Sequence, residues 1–268
     1  MSFVSSAERH DLAAESGLAA ESVIRRAMSL LGAFDSRHQR LTLSALVMRT
    51  GLPKTTVHRL AHELTEAGML AYHDRFYTIG ERVVEIAGLA PVRRELREAA
   101  LPFMQDLFEI THETIHLGVI SGIHLLYVEK INGHRRTTEL SQFGGHMPLH
   151  CTSLGKAMLA HSPRSLVEQL IANGLTAYTT STITSPQLLR HELGEVASLG
   201  LAYDREETAI GVCCVGAPVF GPSGEVVAAM SVTGAASRMR LDRLGAAVRA
   251  AAAGTTRQMR RWRSDRPG

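Results

Sequence analysis

The sequence contains no run of eighteen apolar residues, and its first stretch, MSFVSSAERHDLAAESG, carries charges where a signal peptide needs an apolar centre. Neither a membrane partner nor export is expected, and the cytoplasm is the expected compartment. Only three cysteines occur, Cys151, Cys213 and Cys214; they cannot form a disulfide framework, and a reducing compartment agrees with them. They also lack the CxxC spacing of a strong metal or redox site. GxSxG is missing too, and the serines of CTSLG and MSVTG do not replace it, so no catalytic residue and no cofactor is assigned. There is no internal repeat, and the one biased segment is an alanine-rich stretch near the C-terminus.

What is present suffices for two ordinary domains: 268 residues, of which 45% are hydrophobic. The net charge of +3 is unevenly placed, because residues 21–82 hold nine Lys or Arg against six Asp or Glu, whereas residues 83–256 hold fourteen against sixteen. The basic excess therefore surrounds the stretch 41–68, LTLSALVMRTGLPKTTVHRLAHELTEAG. A second basic run, Arg257, Arg260, Arg261, Arg263 and Arg266, reads as a solvated tail.

In stretch 41–68, Leu43, Leu46 and Val47 share a helical face behind Thr42 as N-cap, and Gly51 with Pro53 stops that helix and starts another. Val57, Leu60, Ala61 and Leu64 then recur at helical spacing, leaving Thr55, His58, Arg59 and His62 on the opposite stripe. Val23, Ile24, Ala27, Leu31 and Phe34 predict an earlier helix, and the runs Met69 to Tyr72 and Phe76 to Ile79 a hairpin. This is the order of a winged helix-turn-helix, whose second helix enters the major groove by its N-terminal end. Lys54, Thr55, Thr56, His58 and Arg59 are therefore the candidate DNA-binding residues, with Arg59 suited to guanine or phosphate and Lys54 to phosphate. His58 and His62 have a metal-like spacing of four, but on this stripe they read as solvated surface.

Expected limits are a tail over 1–20, the winged domain over 21–80, a linker helix region over 81–100, a second domain over 101–262 and a tail over 263–268. Pro91 bounds the first linker helix and Pro102 predicts a kink in the next. The second domain reads as α+β: strands over 114–120 and 124–131, a helix starting near Ser153, and two helices opened by Ser162-Pro163 and Ser185-Pro186. Three more strands follow over 201–205, 213–220 and 226–233, then a helix from Leu241 to about Trp262.

The segments GLPKTTVHRL, GHMPLHCTSLGKAMLA and GLAYDREETAIGVCCVGAPVFGPSGEVVAAMSVTG, in that order, resemble the IclR family of bacterial transcriptional regulators. The resemblance runs from about Glu21 to Arg249. It implies a winged helix domain, a linker helix and a ligand-binding domain with a GAF-like sheet. It further implies homodimers, or dimers of dimers, on palindromic operators in double-stranded DNA, and a small-molecule effector, commonly a carboxylate. Carried over by motif, the effector cup would use Met147, Ser153, Leu154, Asp204, Val212, Cys214, Ser231 and Thr233. Strand alternation places Ser231 with Thr233, and Val212 with Cys214, on one face each. Ser153 at a helix N-terminus suits an anion, whereas Asp204 would need protonation, a donor or a ligand hydroxyl.

The expected function is a transcription factor whose operator affinity responds to a small metabolite, an organic or aromatic acid. The alternative on the same scaffold is a metal- or thiol-based redox sensor using Cys151 and Cys214, with His150 as a further donor.

Overall fold

Gly51 adopts the left-handed conformation (φ 69°) that closes a helix without a Cβ penalty, and Thr42 caps the same helix by accepting the Ala45 N–H at 3.2 Å. These two residues delimit α2 (Leu43–Thr50) between α1 (Val23–Leu31) and α3 (Lys54–Glu66), in a computed structural model that describes residues 22–35, 38–89, 91–134 and 145–264. The expected tail over 1–20 lies outside the described residues; of the expected tail over 263–268, residues 263 and 264 belong to the last helix, and 265–268, with Arg266, lie outside the described residues.

The stripes of α2 and α3 meet as predicted, with Leu46, Val57, Leu60, Ala61, Leu70 and Tyr77 in one buried cluster. α1 differs, since Val23 and Ile24, expected on its inner face, are exposed, and Leu30 enters the core instead, with Ala27, Leu31 and Phe34 packed against it. Arg49 ties α2 to the segment after α1, donating to the Ala33 carbonyl at 2.7 Å and to Asp35 Oδ2 at 2.6 Å. The wing is β1 (Leu70–His73) paired antiparallel with β2 (Phe76–Ile79), and Leu41 adds a bridge to Tyr77. Its two-residue turn holds Asp74 and Arg75 at φ 50° and 67°, the positive values that a tight hairpin demands. After the wing comes α4 (Glu81–Gly88).

The chain divides into compact units at Ala90 and Pro91. Residues 91–100, expected in the linker, are the first half of α5 (Pro91–Thr111), which runs unbroken through Pro102 and buries Leu96, Ala99 and Ala100 in the second unit. Burying that face outweighs the single N–H that proline withholds.

The second unit is built on β3 (Thr114–Ser121), β4 (His124–Ile131), β5 (His146–Pro148), β6 (Ala202–Arg205), β7 (Val212–Phe220) and β8 (Val226–Ala235). They form one antiparallel sheet in the order β5-β4-β3-β8-β7-β6. Between the strands come α6 (Ser153–Leu159), α7 (Arg164–Ala172) and α8 (Pro186–Leu199), and the chain continues into α9 (Leu241–Ser264). Residues Ile115, Leu117, Val215, Met230 and Val232 alternate toward α5 and α9. On the other face Leu125, Tyr127, Ala202 and Ala229 join α6, α7 and α8. Most of β7 is buried, as expected of a strand covered on both sides. An α+β fold with an N-terminal winged helix-turn-helix is what the sequence predicts.

One helix start differs. Ser185 caps α8 with Pro186 at the first helical position, as expected, whereas α7 begins at Arg164 with Pro163 in the cap position. Ser162 instead donates its hydroxyl to the Met158 carbonyl at 2.9 Å, satisfying the end of α6.

Candidate DNA-reading helix and effector site

In α3 the apolar residues that face the core fix what faces outward. Lys54, Thr55, His58, Arg59 and His62 are exposed, while Thr56 turns toward the margin and is half-buried. Pro53 supplies no side-chain acceptor to the first turn, so its N–H groups remain suited to phosphate. Arg59 Nη1 lies 2.7 Å from Glu63 Oε1 one turn on, a solvent-exposed pair that a base or phosphate can replace.

Two glycines set the second site. A Cβ on Gly155 would lie 2.1 Å from the Leu149 carbonyl oxygen, and one on Gly216 would lie 3.1 Å from the Ser153 carbonyl group. Their hydrogens let the start of α6 settle on β7, with Ser153 over the sheet. Pairing then aligns Asp204, Cys214, Thr233 and Thr114 in one row and Gly216, Ser231 and His116 in the next.

Side chains of these rows join across strands. His116 Nδ1 is 3.2 Å from Thr233 Oγ1, Thr233 donates to Cys214 Sγ at 3.2 Å, and Cys214 donates to Asp204 Oδ2 at 3.8 Å. With its hydroxyl hydrogen on sulfur, Thr233 accepts from His116, which assigns the Nδ1–H tautomer. Ser231 is buried beside this line, Leu154 is buried in the same layer and Met147, on β5, is half-buried against it. Val212 lies further out on β7 opposite Ala235, on the side that Cys214 faces. Thus Ser153, Asp204, Cys214, Ser231 and Thr233 converge, with Met147, Leu154 and Val212 as apolar surroundings.

Asp204 finds the donors that its burial demands. Its Oδ2 accepts the Thr208 hydroxyl at 2.6 Å and its Oδ1 the Glu207 N–H at 2.8 Å. Burial pushes its pKa up, against these donors, which pull it down. The carboxylate thereby anchors the β6–β7 loop.

Four buried residues were not singled out in the sequence: His116, Tyr127, Lys156 and Glu207. His116 and Tyr127 stand with ring centroids 4.8 Å apart. Lys156 Nζ, only 1% exposed, contacts Glu207 Oε1 at 2.6 Å and Glu192 Oε1 at 2.9 Å. The Glu207 backbone is held as well, since Thr182 Oγ1 donates to its carbonyl at 2.6 Å, and Thr179 Oγ1 donates to that of Glu206 at 2.7 Å. His150 Nε2 lies 3.0 Å from the Thr176 carbonyl, so the loop between α7 and α8 is fastened from both ends.

Burial lowers the His116 pKa from 6.5 to about 3, assisted by the Lys130 charge. The unfolded chain therefore binds the proton first: the stabilising contribution of neutral His116 is complete above pH 6.5 and is lost as pH falls toward 3. Thermal unfolding between pH 7 and 4 should show a shallower acid decline for His116→Gln than for the wild type. Equal slopes would mean that His116 is protonated alike in both states.

Burial also raises the thiols of Cys151, Cys213 and Cys214, which disfavours the reactive thiolate. Among the described residues no group of three or more His, Cys, Asp or Glu is placed to hold a metal ion. The described helices include none long and apolar enough to cross a membrane.

A winged helix-turn-helix with a polar outer stripe, followed by an α+β unit with buried polar groups converging on an apolar sheet face, has the architecture of a DNA-binding transcriptional regulator. Residues 23–74 match the IclR helix-turn-helix domain and residues 90–257 the C-terminal domain of bacterial IclR transcriptional regulators, so the chain belongs to the IclR family. It is 32% identical over 221 residues to the HTH-type transcriptional regulator KipR of Bacillus subtilis, covering 82% of this chain and 88% of that one. With the Escherichia coli transcriptional repressor IclR it shares 29% identity over 226 residues, 82% of each chain. A solved IclR homologue from Microbacterium hydrocarbonoxydans, complexed with 4-hydroxybenzoate, superposes with a TM-score of 0.84 at 25% identity, covering 90% of this chain and all of the other.

Proposed function

We propose that this regulator binds a palindromic operator as a dimer or dimer of dimers, reads it with Lys54, Thr55, Thr56, His58 and Arg59, and adjusts its affinity when a small organic or aromatic acid occupies the site beneath Ser153. The cytoplasm is the proposed compartment, and no catalytic step or cofactor is assigned. The observation that carries the reading is the line His116–Thr233–Cys214 beside Ser231 on an otherwise apolar sheet face. A few fixed polar groups in an apolar wall are how small-ligand sites obtain both affinity and orientation. The relative holding 4-hydroxybenzoate supports an aromatic acid as the first chemistry to try. Asp204, satisfied by protein donors, enters as the anchor of the site's edge. The thiol- or metal-sensor alternative gains no observation in its favour, given thiols raised by burial.

A thermal-shift screen of small acids should find a stabilising ligand, because binding the folded state raises its melting temperature. Ser231→Val should then weaken that ligand about tenfold or more, the scale of one hydrogen bond to a charged group, while ligand-free operator binding stays intact. Unchanged calorimetric affinity would remove Ser231 from the site.

A further inference from the structure

Two carboxylates are buried at the edge of this site, and they differ in one respect. Both oxygens of Asp204 accept hydrogen bonds from the protein. Glu207, 5% exposed, uses Oε1 for Lys156, while its Oε2 is buried with no hydrogen-bond partner among the described residues. An unsatisfied buried acceptor is costly, more so for a charged group, and calls for a donor. Glu207 cannot easily swing elsewhere: Lys156 holds its tip, and the Thr182 hydroxyl and Asp204 hold its backbone carbonyl and N–H. It also belongs to the same neighbourhood as the polar line. Its N–H donates to Asp204 Oδ1, and the other Asp204 oxygen accepts from Cys214, which in turn accepts from Thr233, so Glu207 follows directly on the polar line.

We infer that Glu207 Oε2 is the specificity-determining acceptor for a hydroxyl on the effector, which makes the effector class hydroxy acids rather than simple carboxylic acids. The inference rests on the effector reading above. The carboxylate end of such a ligand takes the Ser153 and Ser231 end of the site, and the hydroxyl donates to Glu207 at the loop that joins β6 to β7. A ligand oxygen without a hydrogen leaves Oε2 unsatisfied and sets two acceptors against each other. Contact with Lys156 favours the ionised, accepting form of Glu207 against the burial that raises its pKa to about 7, so the hydroxyl preference is read at pH 8, and Glu192 is the second carboxylate on that lysine.

The test is titration calorimetry of the full-length protein with matched ligands: 4-hydroxybenzoate, 4-methoxybenzoate and benzoate, and 3-hydroxybutyrate with butyrate. In at least one set the hydroxy acid should bind about tenfold or more tighter than its partners, the discrimination of one hydrogen bond to a charged group. Glu207→Gln should shrink that ratio to within about threefold, the residue of a neutral hydrogen bond, and Glu192→Gln, which leaves the Glu207 oxygens in place, should keep it. Binding of the acids without preference for the hydroxyl overturns the inference and leaves the acid-effector reading standing. The inference also falls if the methoxy acid binds as well as the hydroxy acid, or if the preference survives in Glu207→Gln. Should none of these acids bind, the effector reading itself falls and the inference with it. A wild type without the hydroxyl preference overturns the inference even where Glu207→Gln fails to fold.

Discussion

Lys156→Met is expected to destabilise the second unit by about 3–5 kcal/mol, the cost of leaving one partner of a buried ion pair without its counter-charge. Methionine retains an unbranched apolar stem, so little packing is lost with the ammonium. What remains is Glu207, buried and deprived of the Lys156 contact at 2.6 Å. The loss should grow with pH. Burial already pushes Glu207 from 4.5 up to about 7 in the intact protein, so the group's favourable contribution is complete below 4.5 and is lost as pH rises through about 7. Removing the lysine moves that loss higher and makes ionised Glu207 costlier, so the variant should lie closest to wild type near pH 5 and furthest below it near pH 8. Adding Glu207→Leu should recover most of the stability, because a buried pair replaced by apolar side chains is often neutral or better. Urea unfolding of the three proteins at both pH values measures this. A penalty independent of pH, or no recovery in the double variant, would assign Lys156 a packing role.

Arg59→Ala should weaken operator binding by about 1–3 kcal/mol per half-site, roughly 5- to 150-fold, if Arg59 meets guanine through two hydrogen bonds. The guanidinium is exposed and, among the described residues, tethered by Glu63, a surface partner it can exchange for DNA. The preference at one base position in each half-site should relax as the affinity falls. Binding measured against a set of single-base operator variants distinguishes the roles: an equal loss on every sequence would make Arg59 a phosphate contact. Because the arginine is already outward on the surface, the variant should fold like the wild type.

The winged domain is legible in the sequence because its determinants are local. Thr42, Gly51 and the spacing of Val57, Leu60 and Ala61 act within one or two helical turns, and they do in the structure what their chemistry predicts. Ser185-Pro186 succeeds for the same reason. Ser162-Pro163 does not, since the Met158 carbonyl at the end of α6 competes for the serine hydroxyl and a dipeptide pattern cannot weigh that acceptor. The linker limit differs because the burial of Leu96, Ala99 and Ala100 is decided by packing against other elements.

The candidate site divides along similar lines. Alternation shows that Ser231 and Thr233 share a face, and the register gives them Gly216 and Cys214 as neighbours. It does not show that β3 pairs with β8, which brings His116 to Thr233 across 117 positions. Nor does composition suggest that a lysine on α6 is fully buried; only the meeting of Glu207 and Glu192 from separate elements makes that burial tolerable. The sequence shows in Asp204 a carboxylate that burial would oblige to find donors, and the donors of its own loop explain how it is accommodated.

In the proposed mechanism, occupation of the second unit changes the affinity of the first for DNA. Linkage makes this a reciprocal quantity: the factor by which effector changes the operator Kd must equal the factor by which operator changes the effector Kd. The direct measurement is operator Kd with and without saturating effector, paired with effector Kd with and without operator, at one fixed salt concentration. The two factors should be equal, each about fivefold or more, as expected for a typical coupling. An operator Kd that stays the same at saturating effector would contradict the mechanism.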